Sequence, residues 1–433
     1  MQSILNFNIE TTNEKLTPRT GVVIFGEYLK GMNLEAICNS EIKSSTHHKA
    51  YNPFEYIYPL ILMLHSGGRV ISDIKEIGYD EALKTILKIK EIPTADAILK
   101  YLHKMGSDGE TAIKSINRKY LKRFLKSIKN DDLILDIDAT FIEAHKNNTN
   151  YSYKGESGYM PMVGHINNGY VIDVDFRDGN IAPADKNLEF IKQCALQLPI
   201  GKKFDRVRID SAGYQAKIFN YCDEQKIKFT VSGRLDSSVK YEIEQIDSTN
   251  WEKLSSKEQV AEFYHTMNGT DNSFRMVVVK KDITPMLPTL EEILTDDEKL
   301  QYAKELYYCI ATNDNDLTPQ EVIKLHRQRG ETSENKIKEL KNGFNMSYLP
   351  TSNFKANSFY FQIGTLAYNL FLLFKQILDK SLQKHTVKTI RYKLYNIAGK
   401  VVYHARKWTL KVNEQFIELL NNIRQRAYDV SIE

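Results

Sequence analysis

Cysteine is scarce and scattered. Cys38, Cys194, Cys222 and Cys309 form no CxxC pair and no dense framework, which argues against a zinc ribbon or a disulfide scaffold and for four reduced thiols in a cytosolic protein. Long hydrophobic runs are missing too. YIYPLILML (56–64) and LAYNLFLLF (366–374) are each about half of the roughly 20 residues that span a bilayer, so both read as buried helices and no membrane partner is expected. The start, MQSILNFNIETTNEK, lacks a basic segment followed by an apolar one, so no secretory signal is read there. No internal repeat, low-complexity tract or GxxxxGK[ST] phosphate loop is present. Net charge is small: 59 Lys and Arg against 55 Asp and Glu give +4. That balance does not single out a nucleic-acid binder, so the placement of charge matters more.

What is present suffices for two or three domains. The 433 residues are 42% hydrophobic and 26% charged, an ordinary globular composition. Residues 1–20 are polar and read as a flexible arm. From 21 to 130 apolar residues recur three and four apart, as in GEYLKGMNLEAI and PFEYIYPLILMLHSGG, giving a helical domain. With the basic stretch INRKYLKRFLKSIKN (116–130), it is either a DNA reader or a packing and dimerisation domain.

At Leu133 the texture changes. LILDID (133–138) is a buried strand, and MPMVGHI and YVIDVDF flank the hairpin signal Asn167-Asn168-Gly169. A helix over 185–198, a strand VRIDS (207–211), a helix over 214–225 and a strand KFTVSG (228–233) follow. This order predicts a mixed α/β sheet with flanking helices over 131–382. A β-rich insertion, about 240–300, contains VAEFYHTM and FRMVVVKKD. Strand LYYCIATN (306–313), a long helix from Pro319 to Lys341 behind the cap Thr318, and a helix from Phe359 to Leu382 complete the domain. The region 383–433 is basic. Lys380 to Lys411 contains many Lys and Arg and no Asp or Glu, with Tyr392, Tyr395, Tyr403 and Trp408 among Arg391, Lys393, Arg406 and Lys407. It suits DNA contact or dimerisation, or a plain hairpin with a solvated basic face.

Carboxylates supply the candidate chemistry. Asp136 and Asp138 share one face of the first strand, and strand geometry alone does not choose between them. Asp210 ends its strand where an α/β sheet places ligands. On the long helix, Glu334, Lys338 and Lys341 share a face. Two aspartates and a helical glutamate would form a hard-oxygen cage for Mg²⁺ or Mn²⁺. Asp173 and Asp175 read as ordinary charges, His47 and His48 as surface, and Trp251 as a core residue or a base-stacking one.

LDIDAT (135–140), VRIDSAGY (207–214), RQRGETSENKIKELKNGF (327–344) and FKANSFYFQIGTLAYNL (354–370) together resemble the DDE (RNase H-like) transposases of bacterial insertion sequences, in the branch with a β-strand insertion before the catalytic Glu. The resemblance implies that Asp138, Asp210 and Glu334 are catalytic and bind two metal ions, with Arg329, Arg327, Lys338 and Lys341 on phosphate. It implies cut-and-paste DNA transposition by a homodimer acting on terminal inverted repeats and target DNA, at the nucleoid in the cytoplasm. The alternatives are an RNase H-like nuclease without strand transfer and a catalytically defective DNA-binding relative. The family's helix signature runs Tyr, two residues, Arg, three residues, Glu, six residues, Lys. Glu334 and Lys341 keep the last spacing, but Arg329 lies one residue too far away and His326 replaces Tyr. The register Arg327, Glu331, Lys338 restores the Arg–Glu–Lys spacing and puts Lys324 in the Tyr slot. The local string ENKIKELK favours Glu334, and a π-bulge near Gly330 would absorb the extra residue.

Overall fold

The computed structural model describes residues 4–5, 7–43, 51–127, 133–145, 149–152, 155–282 and 305–432. They fall into two compact units, 118–338 and a second formed by 1–117 with 339–433.

Unit 118–338 is built on a nine-stranded sheet. Its centre is parallel: Ile134–Ala139 pairs with Arg206–Ile209, which pairs with Lys228–Ser232. Leu135, Ile137, Val207, Ile209, Phe229 and Val231 are all buried, as strands covered on both faces require. Helices Asn187–Leu196 and Ala216–Gln225 lie between the parallel strands in the chain. On the other side of the first strand sits the hairpin Met162–Ile166 and Tyr170–Asp175. Its turn places Asn168 at φ 62° and Gly169 at φ 87°, the left-handed backbone that Asn-Gly adopts at little cost. The mixed α/β sheet expected from the sequence is the one observed.

The β-rich stretch extends this same sheet. Glu258–His265 pairs with Phe274–Asp282, which pairs with Glu305–Thr312 and through it with Lys228–Ser232. Residues 283–304 of that stretch lie outside the described ones. Next, Thr318 opens a helix with a capping box: its hydroxyl accepts from the Glu321 N–H, and the Glu321 carboxylate accepts from the Thr318 N–H at 2.8 Å. The helix Pro319–Arg327 does not run unbroken to Lys341. It opens into a π-turn at Gly330–Glu334 and returns to α geometry over Asn335–Lys338.

The other unit is organised around Phe354–Gln376, a helix buried on all sides from Ala356 to Phe374. Pro53–Ser66 packs against it. The two apolar runs are thus core helices, and no described helix is long and apolar enough to cross a membrane. The Phe354–Gln376 helix begins five residues before the expected Phe359, because the Asn353 side chain caps it by accepting from the Ala356 N–H at 2.9 Å.

Two local expectations differ from the structure here. Within the supposed arm, Lys15–Thr17 is a strand paired with Gly399–His404, which also pairs with Lys407–Lys411. Of the C-terminal basic and aromatic residues, Arg391 and Tyr395 are internal. Arg391 donates to the carbonyls of Leu64, His65 and Gly343, and the Tyr395 hydroxyl meets His65 Nδ1 at 3.0 Å. They sit on a helical turn whose apolar neighbours turn them inward, which spacing alone did not reveal.

Candidate active site

Parallel pairing brings the two aspartates together. Asp138 stands near the end of Ile134–Ala139, and Asp210 follows the end of Arg206–Ile209. Adjacent parallel strands deliver their C-terminal ends to one edge of the sheet, the usual ligand edge of an α/β fold. Both residues line a cavity of about 160 Å³, together with Asn187, Ala212, Met160 and Phe141. Asp210 also accepts from the Ala212 N–H at 2.9 Å, which fixes the turn after its strand. Asn187 is fully buried; its amide donates to the Ala212 carbonyl at 3.1 Å and its Oδ1 has no partner among the described residues.

The structure separates Asp136 from Asp138. Cross-strand register sets Asp136 beside Arg208. Arg208 Nε and Nη2 each donate to one Asp136 oxygen at 2.7 Å, and Nη1 donates to the Leu325 carbonyl at 2.6 Å. The Arg208 and Asp136 side chains are only 3% and 5% exposed. Asp136 is therefore occupied in a bidentate ion pair. On its other side lies His165, paired with it in register and fully buried, both ring nitrogens lacking a partner among the described residues. Burial holds the His165 imidazole down to about 4, and Lys336 adds to the effect while Asp136 opposes it.

Asp138 is different. Burial pushes its carboxyl up to about 6, and the negative charges of Asp210 and Glu334 push the same way. Arg329 and the Ala139 N–H oppose them. The three predicted carboxylates thus act on one another electrostatically. They do not form a closed cage: among the described residues no three His, Cys, Asp or Glu side chains are grouped as metal ligands, and Glu334 is exposed. The donor set nonetheless suits a hard divalent cation, being all carboxylate oxygen with mutual repulsion that a cation would relieve.

The π-turn carries the remaining candidates. Arg329 Nη2 donates to the Ile137 carbonyl at 3.2 Å, and its Nε has no partner among the described residues. Arg327 points elsewhere. Its guanidinium meets Glu258 at 3.0 Å, contacts the Tyr308 hydroxyl and lies 5.5 Å from the Tyr308 ring centre. Lys338 is exposed on the turn beyond Glu334. Lys341 belongs to the other unit, where burial lowers its ammonium pKa. The Glu331 side chain lies outside the described ones, as do His47 and His48.

Asp173 is buried against the Val174 N–H at 2.8 Å, and Asp175 pairs with Arg177 at 2.6 Å, both ordinary structural roles. Trp251 is half-buried rather than core, with the Lys280 ammonium 5.6 Å over its ring. The four thiols are free and buried. Sequence reading missed Arg208, His165, Asn187 and the role of His326. His326 meets Ser232 Oγ at 2.9 Å and is held down to about 4 by burial, with Arg329 and Arg208 adding to it. Arg208 had a signal, since it lies two residues before Asp210 on the same strand face.

The family described as "Transposase DDE domain group 1" matches residues 3–425. A comparison with curated protein sequences finds no match. Among solved structures, the chain is similar to the cryo-EM structure of a piggyBac transposase synaptic complex with hairpin DNA. The identity is 12% and the TM-score 0.43, covering 89% of this chain and 82% of that one. The match over nearly the whole sequence places the chain in the DDE transposase family, as an enzyme of DNA transposition.

Proposed function

We propose that the chain cleaves DNA strands at the terminal inverted repeats of its own mobile element and joins them to target DNA. Asp138, Asp210 and Glu334 are the residues that would hold divalent metal, as two Mg²⁺ or Mn²⁺ ions. When bound, such ions lower the pKa of an attacking water or 3′-hydroxyl and stabilise the leaving oxygen. The chain's own groups do the rest. Asp138 and Asp210 fix the site on rigid neighbouring strands, and Arg329 offers a guanidinium to the phosphate charge that develops during displacement. Lys338 and Lys341 are read as phosphate contacts. Arg327, engaged by Glu258 and Tyr308, is a weaker candidate for that role.

One observation carries this reading: two carboxylates from parallel strands open into one cavity, and a third, from the π-turn, acts on Asp138. Nicking of duplex DNA carrying the element's ends, in Mn²⁺, tests it. The expected outcome is loss of nicking in Asp210→Ala with DNA binding retained. Glu334→Ala should also abolish nicking, whereas loss in Glu331→Ala alone would move the third ligand. A pre-cleaved donor end mixed with a target plasmid distinguishes transposition from plain hydrolysis, since only strand transfer yields joined products. We read the active form as a homodimer across two DNA ends, checked by sedimentation of the DNA complex.

A further inference from the structure

The three-stranded sheet of the unit containing both termini has one face the fold does not use. In register, Leu16, Lys400 and Lys411 lie side by side across its strands, followed by Val402 with Thr409 and then His404 with Lys407. Alternation puts all of these on the side opposite Val401, which is buried. Lys407, Lys411 and His404 are exposed, as is Leu16.

Three features of this sheet work against the stability of the free chain. Lys400 and Lys411 are directly opposed across neighbouring strands, and like charges there repel. A Glu14 carboxylate contacts Lys400, whereas Lys407, Lys411 and Arg406 have no ion-pair partner among the described residues. Second, the two-residue turn carries Ala405 at φ 50° and Arg406 at φ 60°. Asn-Gly would adopt that backbone more easily, so the turn holds a cation at its tip at a conformational cost. Third, on the Val401 side, Tyr403 and Trp408 stand side by side at the free end, ring centres 4.7 Å apart and 59% and 46% exposed. Lys15 Nζ sits 5.0 Å from the Trp408 ring centre.

Protection of an exposed sheet edge explains lysines on the edge strand Lys407–Lys411. It does not explain Lys400, which is on the central strand, nor the cation held at the tip of a strained turn. A polyanion lying across the lysine face accounts for both; the aromatic pair, on the Val401 side, is not part of that surface. We propose that this face binds the phosphate backbone of double-stranded DNA without reading its sequence, through Lys400, Lys407 and Lys411, with Arg406 at the tip. The proposal rests on the DNA-transposition reading and names the surface that holds the duplex outside the catalytic edge.

The test measures affinity of the full-length chain for a fluorescent duplex of random sequence across a salt series. Each phosphate contact contributes about 0.9 to the log–log salt slope. Replacing Lys400, Lys407 and Lys411 together by Gln should reduce the slope by about 2.7, and weaken binding roughly 150-fold at 0.15 M salt. Replacing the same three by Arg should restore both. An unchanged slope in the Gln variant overturns the proposal. So does an unchanged slope with altered sedimentation, which would make the face a contact between two copies of the chain. Asp210→Ala keeps the wild-type slope and loses nicking. If it nicked normally, the catalytic reading would fail while the surface stood.

Discussion

Replacing Arg208 by Met should be among the most damaging single changes in unit 118–338. The guanidinium makes three hydrogen bonds, two to Asp136 at 2.7 Å and one to the Leu325 carbonyl at 2.6 Å. Met fills much of the same volume but leaves the buried Asp136 carboxyl without its guanidinium. His165 beside it is held uncharged by burial, so it brings no compensating positive charge. Breaking a buried pair in this way costs about 3–5 kcal/mol, most of it the penalty of an uncompensated charge. The double variant Arg208→Met with Asp136→Leu removes that charge, and should recover most of the loss. The two tryptophans make the measurement clean, since Trp251 lies in this unit and Trp408 in the other. In a Trp408→Phe background, urea unfolding followed by Trp251 fluorescence reports this unit by itself. A loss below about 1 kcal/mol for Arg208→Met, or a double variant as unstable as the sum of the singles, would refute the reasoning.

Three further outcomes follow from the same geometry. His165 and His326 are both held down to about 4. As pH falls from about 6.5 the unfolded chain takes up their protons first, so stability is full above 6.5 and declines towards 4. Asp138, pushed up to about 6, runs the other way in metal-free protein, so Asp138→Asn should make the acid decline of the urea midpoint steeper, and a shallower decline would contradict these assignments. Gly169→Ala should cost about 1–2 kcal/mol, because Gly169 has φ 87° and a Cβ there meets the Lys336 stem; an unchanged urea midpoint would count against it. Thr318→Ala, which removes the cap of the helix leading to the π-turn, should cost about 1 kcal/mol in the same assay, and Thr318→Ser should be close to neutral.

Much of unit 118–338 was legible because its signals are local. Each parallel strand is a short apolar run between turn residues, and Asn168-Gly169 marks its hairpin outright. Asp138 and Asp210 could be placed at strand ends from the same runs. What stayed hidden depends on register between distant segments. The motif preferred Asp138 over Asp136, but the ion pair that occupies Asp136 comes from Arg208, 72 residues away in sequence and adjacent only once the strands pair. The strand Lys15–Thr17 is three residues long and finds its partner at Gly399–Val401, too short and too remote for any periodic pattern. Arg391 and Tyr395 looked like members of a basic aromatic surface, yet three backbone carbonyls claim the one and a buried histidine the other.

The helix signature illustrates the same limit from the other side. Arg329 and Glu334 are five residues apart, one more than the family spacing, and in an α-helix such a pair diverges around the axis. A π-turn closes its hydrogen bonds between residues five apart and so brings such a pair onto one face. Gly330–Glu334 is such a turn, closed by the Asn335 N–H donating to the Gly330 carbonyl. Its consequence is electrostatic: Arg329 and Glu334 both act on Asp138, with opposite signs. The extra residue is therefore accommodated in the backbone, and it is no reason to abandon Glu334 for Glu331. Deleting Gly330 would convert the turn to α geometry and restore the family spacing. If the π-turn's work is to align Arg329 with Glu334, the deletion should retain nicking. If nicking is lost while Trp251 reports a folded unit, the turn does something that spacing alone does not supply.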